Sequence, residues 1–431
     1  MSSSKTDLTG SNNNLLRIDG TSFKLLSGTL DQGFHSVRMY CDTVLNYQTL
    51  GVYNGALTDD GAIGNDRNDM IKFRDDNTPT TLLTTNSAVF GVVRLNSGDD
   101  PIQLRSNVYI KFLQYLYGKI NLGIYNLKID QIVGGLTNPS QLPPRGLEAD
   151  SLGLQTRRFS VEDMLVTSGN NSDGGLSIYV PAGTANGTRF VFPLGIGTSA
   201  NDGANTAGTD KYTPAYVTVS NVTDDGYITI NPVNTALDLL NGFPNNMMQY
   251  YWNVRHSDFT AVPNVRLQFT YNDADDNNGT VTNFVPGRVI NFSTRQADAG
   301  GTAAVRESIR QIDFTTGALT TGLYTAAQPA AFTGTIQVFY NRESSTNWTD
   351  VNKWSTVGFN GAAATEVPGP GDVVRLRNTD GSASQNSWVD MNLNTSVAAV
   401  VFDNTGGGWR NRLTINATQT VSLGIVEGEG E

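Results

Sequence analysis

Apolar and polar residues alternate along this chain in short runs, and no long helical period interrupts them. The runs VVRLN at 92–96, VYIKF at 108–112 and KINLG at 119–123 place apolar side chains two residues apart. Glycine, asparagine, serine or aspartate ends each run after a few residues. A period of two sends successive side chains to opposite faces of a β-strand. The pattern therefore predicts an all-β fold built from many short strands.

The even spacing of these runs favours one arrangement over 1–140. Short strands at regular intervals, with no long apolar helix between them, are typical of a parallel β-solenoid, in which each coil stacks on the last and buries an inward row. An ordinary antiparallel meander fits the same alternation and is the alternative. Pro139, Pro143 and Pro144 have no backbone N–H to donate to a neighbouring strand, and they stiffen the backbone. We therefore place a linker at 141–154.

A second strand-rich block covers 155–338. Two amphipathic sheets must cover each other's apolar faces, so a β-sandwich is the expected packing for this block. The turn sequence DDG at 224–226 lies between YVTV at 216–219 and YITI at 227–230. Turn residues flanked by alternating strands predict a β-hairpin at this point.

Charge and cysteine content exclude several functions. The 431 residues include 29 Lys and Arg against 40 Asp and Glu, which gives a net charge of −11. That sign is wrong for coating nucleic acid or an anionic membrane surface. One cysteine and two histidines offer no disulfide framework and no zinc site, and no apolar run is long enough to span a bilayer. We expect no nucleic-acid partner and no direct membrane span.

Two sets of segments resemble parts of very large cell-surface proteins of gliding and other Bacteroidota, which the type IX secretion system exports. Segments similar to their repeated β-rich module are FVFPLG at 190–195, YTPA at 212–215, DGYITI at 225–230, YYWNV at 250–254 and LQFTYNDAD at 267–275. Segments similar to the opening of their G8-like repeats, which leads into a β-helix, are FYNR at 339–342, NWTDVNKWS at 347–355 and VPGPGDVV at 367–374.

The resemblance implies an extracellular segment at the cell surface that mediates adhesion to glycans or abiotic surfaces. It also implies contact with the type IX secretion and motility machinery and a link to gliding motility. Residues 339–431 are then expected to begin a second β-solenoid, so that parallel β-solenoid segments flank the β-sandwich module in an elongated, multi-domain chain. The start of the chain lacks the apolar core of a signal peptide and no sorting domain follows Glu431, so we expect a piece of a longer protein.

Calcium is the one cofactor that the sequence suggests. Asp273, Asp275 and Asn277 offer oxygen ligands at alternate positions, which is the hard-donor chemistry that Ca²⁺ requires. The following glycine falls one place late for an EF-hand loop, and an ordinary polar turn is the alternative. Thr43 and Ser151 lie in Asp-Thr-Val and Asp-Ser-Leu triplets that look like the O-glycosylation signal of the same phylum.

Five tryptophans allow a carbohydrate-binding interpretation. Trp388 and Trp409 have polar or glycine-rich flanks, so they are candidates for exposed rings on which sugars stack. Trp252, Trp348 and Trp354 occur in patterns that predict burial. The alternative is that all five pack in the interior.

A β-helix can also carry a polysaccharide lyase or hydrolase site. Candidate residues for such a site are Asp66, Arg67, Asp69, Lys72, Arg74 and Asp75. General acid–base work requires two carboxyl groups at a defined separation, one with a pKa raised by burial, and a loop of alternating charges indicates neither. No phosphate-binding glycine loop and no Gly-x-Ser-x-Gly elbow is present. We therefore assign no catalytic residue and predict a non-catalytic protein, with an enzyme or a carbohydrate-binding module as the alternatives.

Overall fold

The computed structural model describes most of the chain from residue 102 onward and eight strands before it. The described residues beyond those eight strands are 102–117, 119–134, 159, 161, 163–197, 210–243, 245–272, 277–278, 281–298, 300, 303–342, 345–377, 387–403 and 411–428.

Strands dominate the described residues. They make up 51% of the chain, and no described helix reaches seven residues. The described helices are short 3-10 turns at Val281–Asn283, Glu307–Ile309, Pro329–Phe332 and Val351–Lys353. The prediction of an all-β fold is confirmed.

The strands are numbered in chain order. Up to residue 134 they are β1 (Thr6–Asp7), β2 (Leu15–Leu25), β3 (Thr29–Asp31), β4 (Ser36–Asn46), β5 (Thr49–Leu50), β6 (Ile71–Phe73), β7 (Thr80–Thr84), β8 (Val89–Asn96), β9 (Ile102–Leu104), β10 (Val108–Tyr117), β11 (Ile120–Gly123) and β12 (Asn126–Gly134). From 165 to 270 they are β13 (Leu165–Thr167), β14 (Gly175–Val180), β15 (Thr188–Phe192), β16 (Leu194–Ile196), β17 (Lys211–Tyr212), β18 (Ala215–Ser220), β19 (Gly226–Val233), β20 (Met247–Met248), β21 (Tyr251–Ser257) and β22 (Asn264–Thr270).

The remaining strands follow residue 276. They are β23 (Asn277–Asn278), β24 (Val285–Ile290), β25 (Thr294–Ala297), β26 (Ala304–Arg306), β27 (Gln311–Asp313), β28 (Gly317–Ala318), β29 (Gly322–Ala327), β30 (Val338–Asn341), β31 (Ser345–Asn347), β32 (Trp354–Ser355), β33 (Val373–Leu376), β34 (Ser387–Met391), β35 (Thr395–Phe402), β36 (Asn411–Ile415) and β37 (Val421–Gly428).

The chain folds into two compact units, and each unit is formed by several segments of the sequence. Unit 1 comprises Met1–Asn234, Trp252–Asp276 and Gly300–Thr321, and unit 2 comprises Thr235–Tyr251, Asn277–Ala299 and Gly322–Glu431. The linker predicted at 141–154 lies outside the described residues, and the division at 140, 155 and 339 stays a prediction.

Strands of unit 1 pair in parallel at regular intervals along the chain. Val93 of β8 pairs with Leu113 of β10, and Leu113 pairs with Ile132 of β12, so the two steps advance the chain by nearly equal lengths. A second set of strands also pairs in parallel at a similar interval, since Ile102 of β9 pairs with Ile120 of β11. A meander pairs consecutive strands in opposite directions. The antiparallel meander is therefore wrong for these strands.

The register of these strands stacks apolar side chains in the interior. Ile110 of β10 pairs with Ile129 of β12, Ile129 pairs with Ile178 of β14, and Ile178 pairs with Ile228 of β19. All four are at most 1% exposed. The same register fixes the opposite face, on which Tyr109, Lys128, Ser177 and Thr229 are cross-strand partners.

The hairpin predicted around DDG at 224–226 is wrong. On one edge β18 pairs with β15 and on the other with β22, whereas β19 pairs with β14. A strand has two hydrogen-bonding edges, so β18 has none left for β19. The residues at 221–225 instead carry the chain from one sheet to another.

Aromatic side chains pack between those two sheets within unit 1. The ring of Trp252 on β21 stacks on that of Phe269 on β22, with centroids 4.7 Å apart, and Phe314 meets Phe269 edge to face at 5.8 Å. Trp252 and Phe269 are fully buried. Rings of this size bury a large apolar area where they pack together.

Unit 2 has parallel strands of its own. Val373 of β33 pairs with Ala399 of β35, and Thr395 of β35 pairs with Val421 of β37, so the interval along the chain is the same in both steps. Trp348 and Trp354 are fully buried in the core beneath these strands. The predicted burial of Trp348, Trp354 and Trp252 is confirmed.

Candidate functional site

The outward face of β10, β12, β14 and β19 carries a cluster of polar and aromatic side chains. Its first row follows from the register, because Tyr109, Lys128, Ser177 and Thr229 are successive cross-strand partners. Its second row contains Asp130, two residues beyond Lys128, and the paired residues Tyr179 and Tyr227. We call Tyr109, Lys128, Asp130, Tyr179 and Tyr227 the tyrosine face.

One carboxylate anchors two phenols of the tyrosine face. The Tyr109 hydroxyl donates to both oxygens of Asp130, at 2.9 Å to Oδ1 and 2.8 Å to Oδ2. The Tyr227 hydroxyl donates to Asp130 Oδ1 at 2.7 Å. Bonds to a charged acceptor are short and about twice as strong as neutral ones. Asp130 therefore fixes the positions of both rings.

A cation and a third ring complete the face. Lys128 Nζ lies 3.6 Å from the centroid of the Tyr227 ring and 5.6 Å from that of Tyr109. The Tyr179 and Tyr227 rings are tilted, with centroids 5.2 Å apart. Tyr227 is 9% exposed, whereas Tyr109 and Tyr179 are half-buried. Lys128, Asp130 and the rings of Tyr109 and Tyr179 are thus the parts of the face that solvent reaches.

Tyr227 remains a proton donor at ordinary pH. Burial raises the pKa of its hydroxyl far above the usual value, and its hydrogen bonds with Tyr109 and Asp130 raise that pKa further. A phenol with such a pKa does not act as a general base, because too little of it ionises near neutral pH. The arrangement suits hydrogen bonding and ring stacking rather than proton abstraction.

A second carboxyl group, that of Asp258, lies beside this cluster. Asp258 lies 4.0 Å from Lys128 Nζ, and its side chain is 62% exposed. A glycosidase of the common kind needs one carboxyl group whose pKa burial has raised. Asp258 is exposed, so it is not the buried carboxyl group of such a site.

The side chains of the candidate residues from the sequence are not among those that the structure describes. Asp273, Asp275, Ser151 and Trp409 lie outside the described residues, as do Asp66, Arg67, Asp69, Arg74 and Asp75. Thr43, Lys72, Asn277 and Trp388 lie in β4, β6, β23 and β34 respectively, and the structure describes their strands but not their side chains. The roles predicted for all of these residues stay predictions.

Sequence reasoning missed the tyrosine face. Tyr109 and Lys128 lie at polar positions of runs whose apolar positions predict the core, and Tyr227 begins the run YITI. Their outward direction could be inferred from the period of two. Their meeting could not, because Tyr109 and Tyr227 are 118 residues apart in the chain.

Comparisons with known proteins add no identification. No family model matches the chain, and neither a curated protein nor a solved structure matches it. In the part of the chain that the structure describes, no helix is long and apolar enough to cross a bilayer. The same residues contain no group of three or more His, Cys, Asp or Glu side chains arranged to hold a metal ion.

Proposed function

We propose that this chain is a non-catalytic adhesive segment of a secreted cell-surface protein, and that its tyrosine face binds glycans. The observation that carries the proposal is the placement of three tyrosines, Lys128 and Asp130 on one face of adjoining strands. Sugar rings stack on aromatic faces through their C–H surfaces, while their hydroxyls bond to carboxylates, amines and phenols. The resemblance to type IX secretion substrates supports an extracellular location and a link to gliding motility.

The scaffold beneath this face is, in our proposal, a parallel β-solenoid. The nearly equal intervals from β8 to β10, from β10 to β12 and from β9 to β11 support it, because each coil of a solenoid adds one strand to each ladder. The buried row of isoleucines supplies the inward stack that such coils need. In unit 2 the repeated interval from β33 to β35 and from β35 to β37 supports a second array of the same kind.

We infer a β-sandwich for the strands around β18 and β22. The stacking of Trp252 on Phe269 supports face-to-face packing of two sheets. The crossing of the chain between β18 and β19 supports it as well, since a sandwich joins its sheets by such connections. Backbone ladders that run through stacked coils and sandwiched sheets resist extension, which suits a part that transmits force between a cell and a surface.

Glycan binding can be measured on the whole chain with a glycan array, followed by calorimetry on the best ligand. We expect Tyr179→Ala to weaken binding about tenfold, which is ~1.4 kcal/mol, because the half-buried ring is lost. Tyr125→Ala is the matched control, since Tyr125 is also half-buried but lies in the turn before β12. Equal affinities for wild type and Tyr179→Ala, or no ligand at all, would refute the role of the tyrosine face.

Two further experiments test the tryptophans that the sequence suggests and the alternative of an enzyme. Trp388→Ala and Trp409→Ala on the same array test the rings that the sequence suggests. A broad panel of polysaccharides, assayed for reducing ends and unsaturated products, tests for hydrolase or lyase activity. Product release that wild type shows and that heat-denatured protein lacks would replace the adhesive proposal with an enzymatic one.

A further inference from the structure

A second surface of unit 1 concentrates positive charge on an acidic chain. It is the outward side of the antiparallel sheet formed by β15, β18, β22, β27 and β26. Arg189 of β15 pairs with Thr218 of β18, and Thr218 pairs with Arg266 of β22. Two strand spacings separate the two arginines, which places their backbones about 10 Å apart. Arg306 lies two strands beyond β22, on β26.

Buried and half-buried residues alternate strictly on β18 and β22. Val217, Leu267 and Ile312 are buried, whereas Thr218, Arg266 and Gln311 are half-buried on the opposite side. The alternation shows that one side of the sheet covers the core and the other faces away from it. The arginines belong to the second side.

One buried carboxylate holds two of these arginines in place. Asp313 is fully buried, and it accepts from Arg266 Nε at 2.8 Å, from Arg266 Nη2, and from Arg306 Nη2 at 3.2 Å. The hydrogen bond to Asp313 raises the pKa of Arg266. The arginine side chains stay 37% and 47% exposed. A planar guanidinium that uses Nε and one terminal nitrogen on a carboxylate directs its other terminal nitrogen elsewhere.

The third arginine is oriented by an aromatic ring. The guanidinium carbon of Arg189 lies 4.0 Å from the centroid of the Tyr216 ring, which is the stacked geometry that arginine favours. Gln268 Nε2 donates to Gln311 Oε1 at 3.2 Å on the same side of the sheet. Guanidinium groups, side-chain amides and an aromatic ring therefore line one extended surface.

We propose that this surface, which carries Arg189, Arg266, Arg306 and Asp313, binds an anionic polysaccharide that carries carboxylate or sulfate groups. Arg266 and Arg306 share the one carboxylate of Asp313, in a chain whose net charge is −11, so this part of the surface is complementary to an anion. Two arginines on one carboxylate leave a local excess of positive charge that an anion bridging them would neutralise. The site is distinct from the tyrosine face, and the proposal does not rest on it.

A polysaccharide fits better than a protein partner because of what surrounds the arginines. Thr218, Gln268 and Gln311 are polar, whereas the fully buried core of a protein interface is mostly apolar. The surface is also a sheet face rather than a closed pocket, which an extended polymer can follow across several strands.

The test uses the whole chain with heparin, polygalacturonate and uncharged dextran as probes. We expect binding to heparin or polygalacturonate but not to dextran, with affinity falling as salt rises. Arg189→Gln combined with Arg306→Gln should weaken that binding at least tenfold. The pair Arg266–Asp313 stays intact in this variant, so no buried carboxylate is left without a partner.

The matched control removes two positive charges elsewhere in unit 1. Lys24→Gln combined with Arg105→Gln changes two exposed residues and should leave the affinity within about twofold of wild type. Equal losses in both double variants would mean that only net charge matters and would overturn the proposal. Failure of both anionic probes, or a loss of dextran binding in Arg189→Gln with Arg306→Gln equal to the loss of anionic binding, would overturn it too.

Two more measurements keep the interpretation specific. Tyr179→Ala should bind the anionic probe as wild type does, so a failure of the tyrosine face leaves this site standing. Sedimentation at low salt tests the alternative that this surface binds a second copy of the acidic chain. Salt-sensitive self-association that Arg189→Gln with Arg306→Gln abolishes, without any binding of the anionic probes, would assign the surface to that copy instead.

Discussion

Lys128 Nζ lies directly over the ring of Tyr227, 3.6 Å from its centroid. The two residues are on β12 and β19, strands that both pair with β14. The cation therefore reaches across one intervening strand to a ring held by Asp130. This contact ties the outward side of the parallel strands to the antiparallel strand that follows them.

Removing the charge of Lys128 should cost stability. We expect Lys128→Gln to lower the free energy of unfolding by about 1 kcal/mol, because a partly desolvated cation–π contact is lost. Urea denaturation followed by circular dichroism measures the change. Lys24→Gln, at an exposed position, is the control and should stay within about 0.5 kcal/mol of wild type. Identical midpoints for the two variants would contradict a stabilising role for the contact.

Tyr227 should make stability depend on pH in the alkaline range. Its folded-state pKa is raised by burial and by its bonds to Tyr109 and Asp130, so above pH ~10 the unfolded chain releases a proton that the folded chain keeps. Its contribution to stability is thus complete below the unfolded pKa and declines above it, by at most about 1.4 kcal/mol per pH unit.

The comparison of wild type with Tyr227→Phe isolates that contribution. Stability of wild type should fall between pH 9 and 11 more steeply than that of the variant, as measured by urea denaturation at each pH. Parallel curves for the two proteins would show that the hydroxyl titrates alike in both states, against the expectation.

More of the core of unit 1 than of the site could be predicted from the sequence. The alternation in VYIKF and in YITI marks Ile110 and Ile228 as inward residues, and both are buried. The period of two depends only on local backbone geometry, so it can be read from a short window. The burial of Trp252 was predictable for a similar reason, since it lies in the apolar run YYWNV, whereas Trp348 and Trp354 lie among polar residues.

Strand partners could not be predicted in this way. The turn at 224–226 has hairpin chemistry, yet β18 and β19 join different sheets, because turn residues do not determine which sheet receives the next strand. The tyrosine face depends on the pairing of Lys128 with Ser177, which spans a much longer stretch of chain than the pairing of Tyr109 with Lys128. That stretch includes residues 141–154, where the sequence indicates only a stiff linker.

Two glycines with similar backbone angles should respond differently to alanine. Gly175 has φ of +73° and Gly183 has φ of +75°, a conformation that costs an L-residue about 1 kcal/mol or more. At Gly175 an added Cβ would also overlap the Ile230 carbonyl oxygen and lie 2.9 Å from Asn231 Cβ, whereas at Gly183 it meets open space.

Gly175→Ala should therefore cost about 2 kcal/mol more than Gly183→Ala, roughly the penalty of overpacking a core. Thermal or urea denaturation of both variants gives the difference directly. Gly183→Ala is the control for the backbone angle alone. Equal costs would mean that β14 and β19 can separate at this point without penalty.

In unit 2, Trp348 and Trp354 form a relay of buried hydrogen bonds. Trp354 Nε1 donates to the carbonyl of Trp348 at 2.9 Å, and Trp348 Nε1 donates to the carbonyl of Pro368 at 3.1 Å. Their rings meet edge to face with centroids 5.0 Å apart. The relay connects the chain at 348 and 354 to the segment that leads into β33.

Replacing either ring should destabilise the protein, and the two losses should not add. We expect Trp348→Phe and Trp354→Phe each to cost about 2 kcal/mol, through a smaller ring and a buried carbonyl left without its donor. Since the rings touch, the double variant should cost less than the sum by about 0.5 to 1.5 kcal/mol. Calorimetry with circular dichroism measures all three. Val357→Ala, at a side chain that is 75% exposed, is the control, and strict additivity of the two tryptophan variants would show that the edge-to-face contact contributes no coupling.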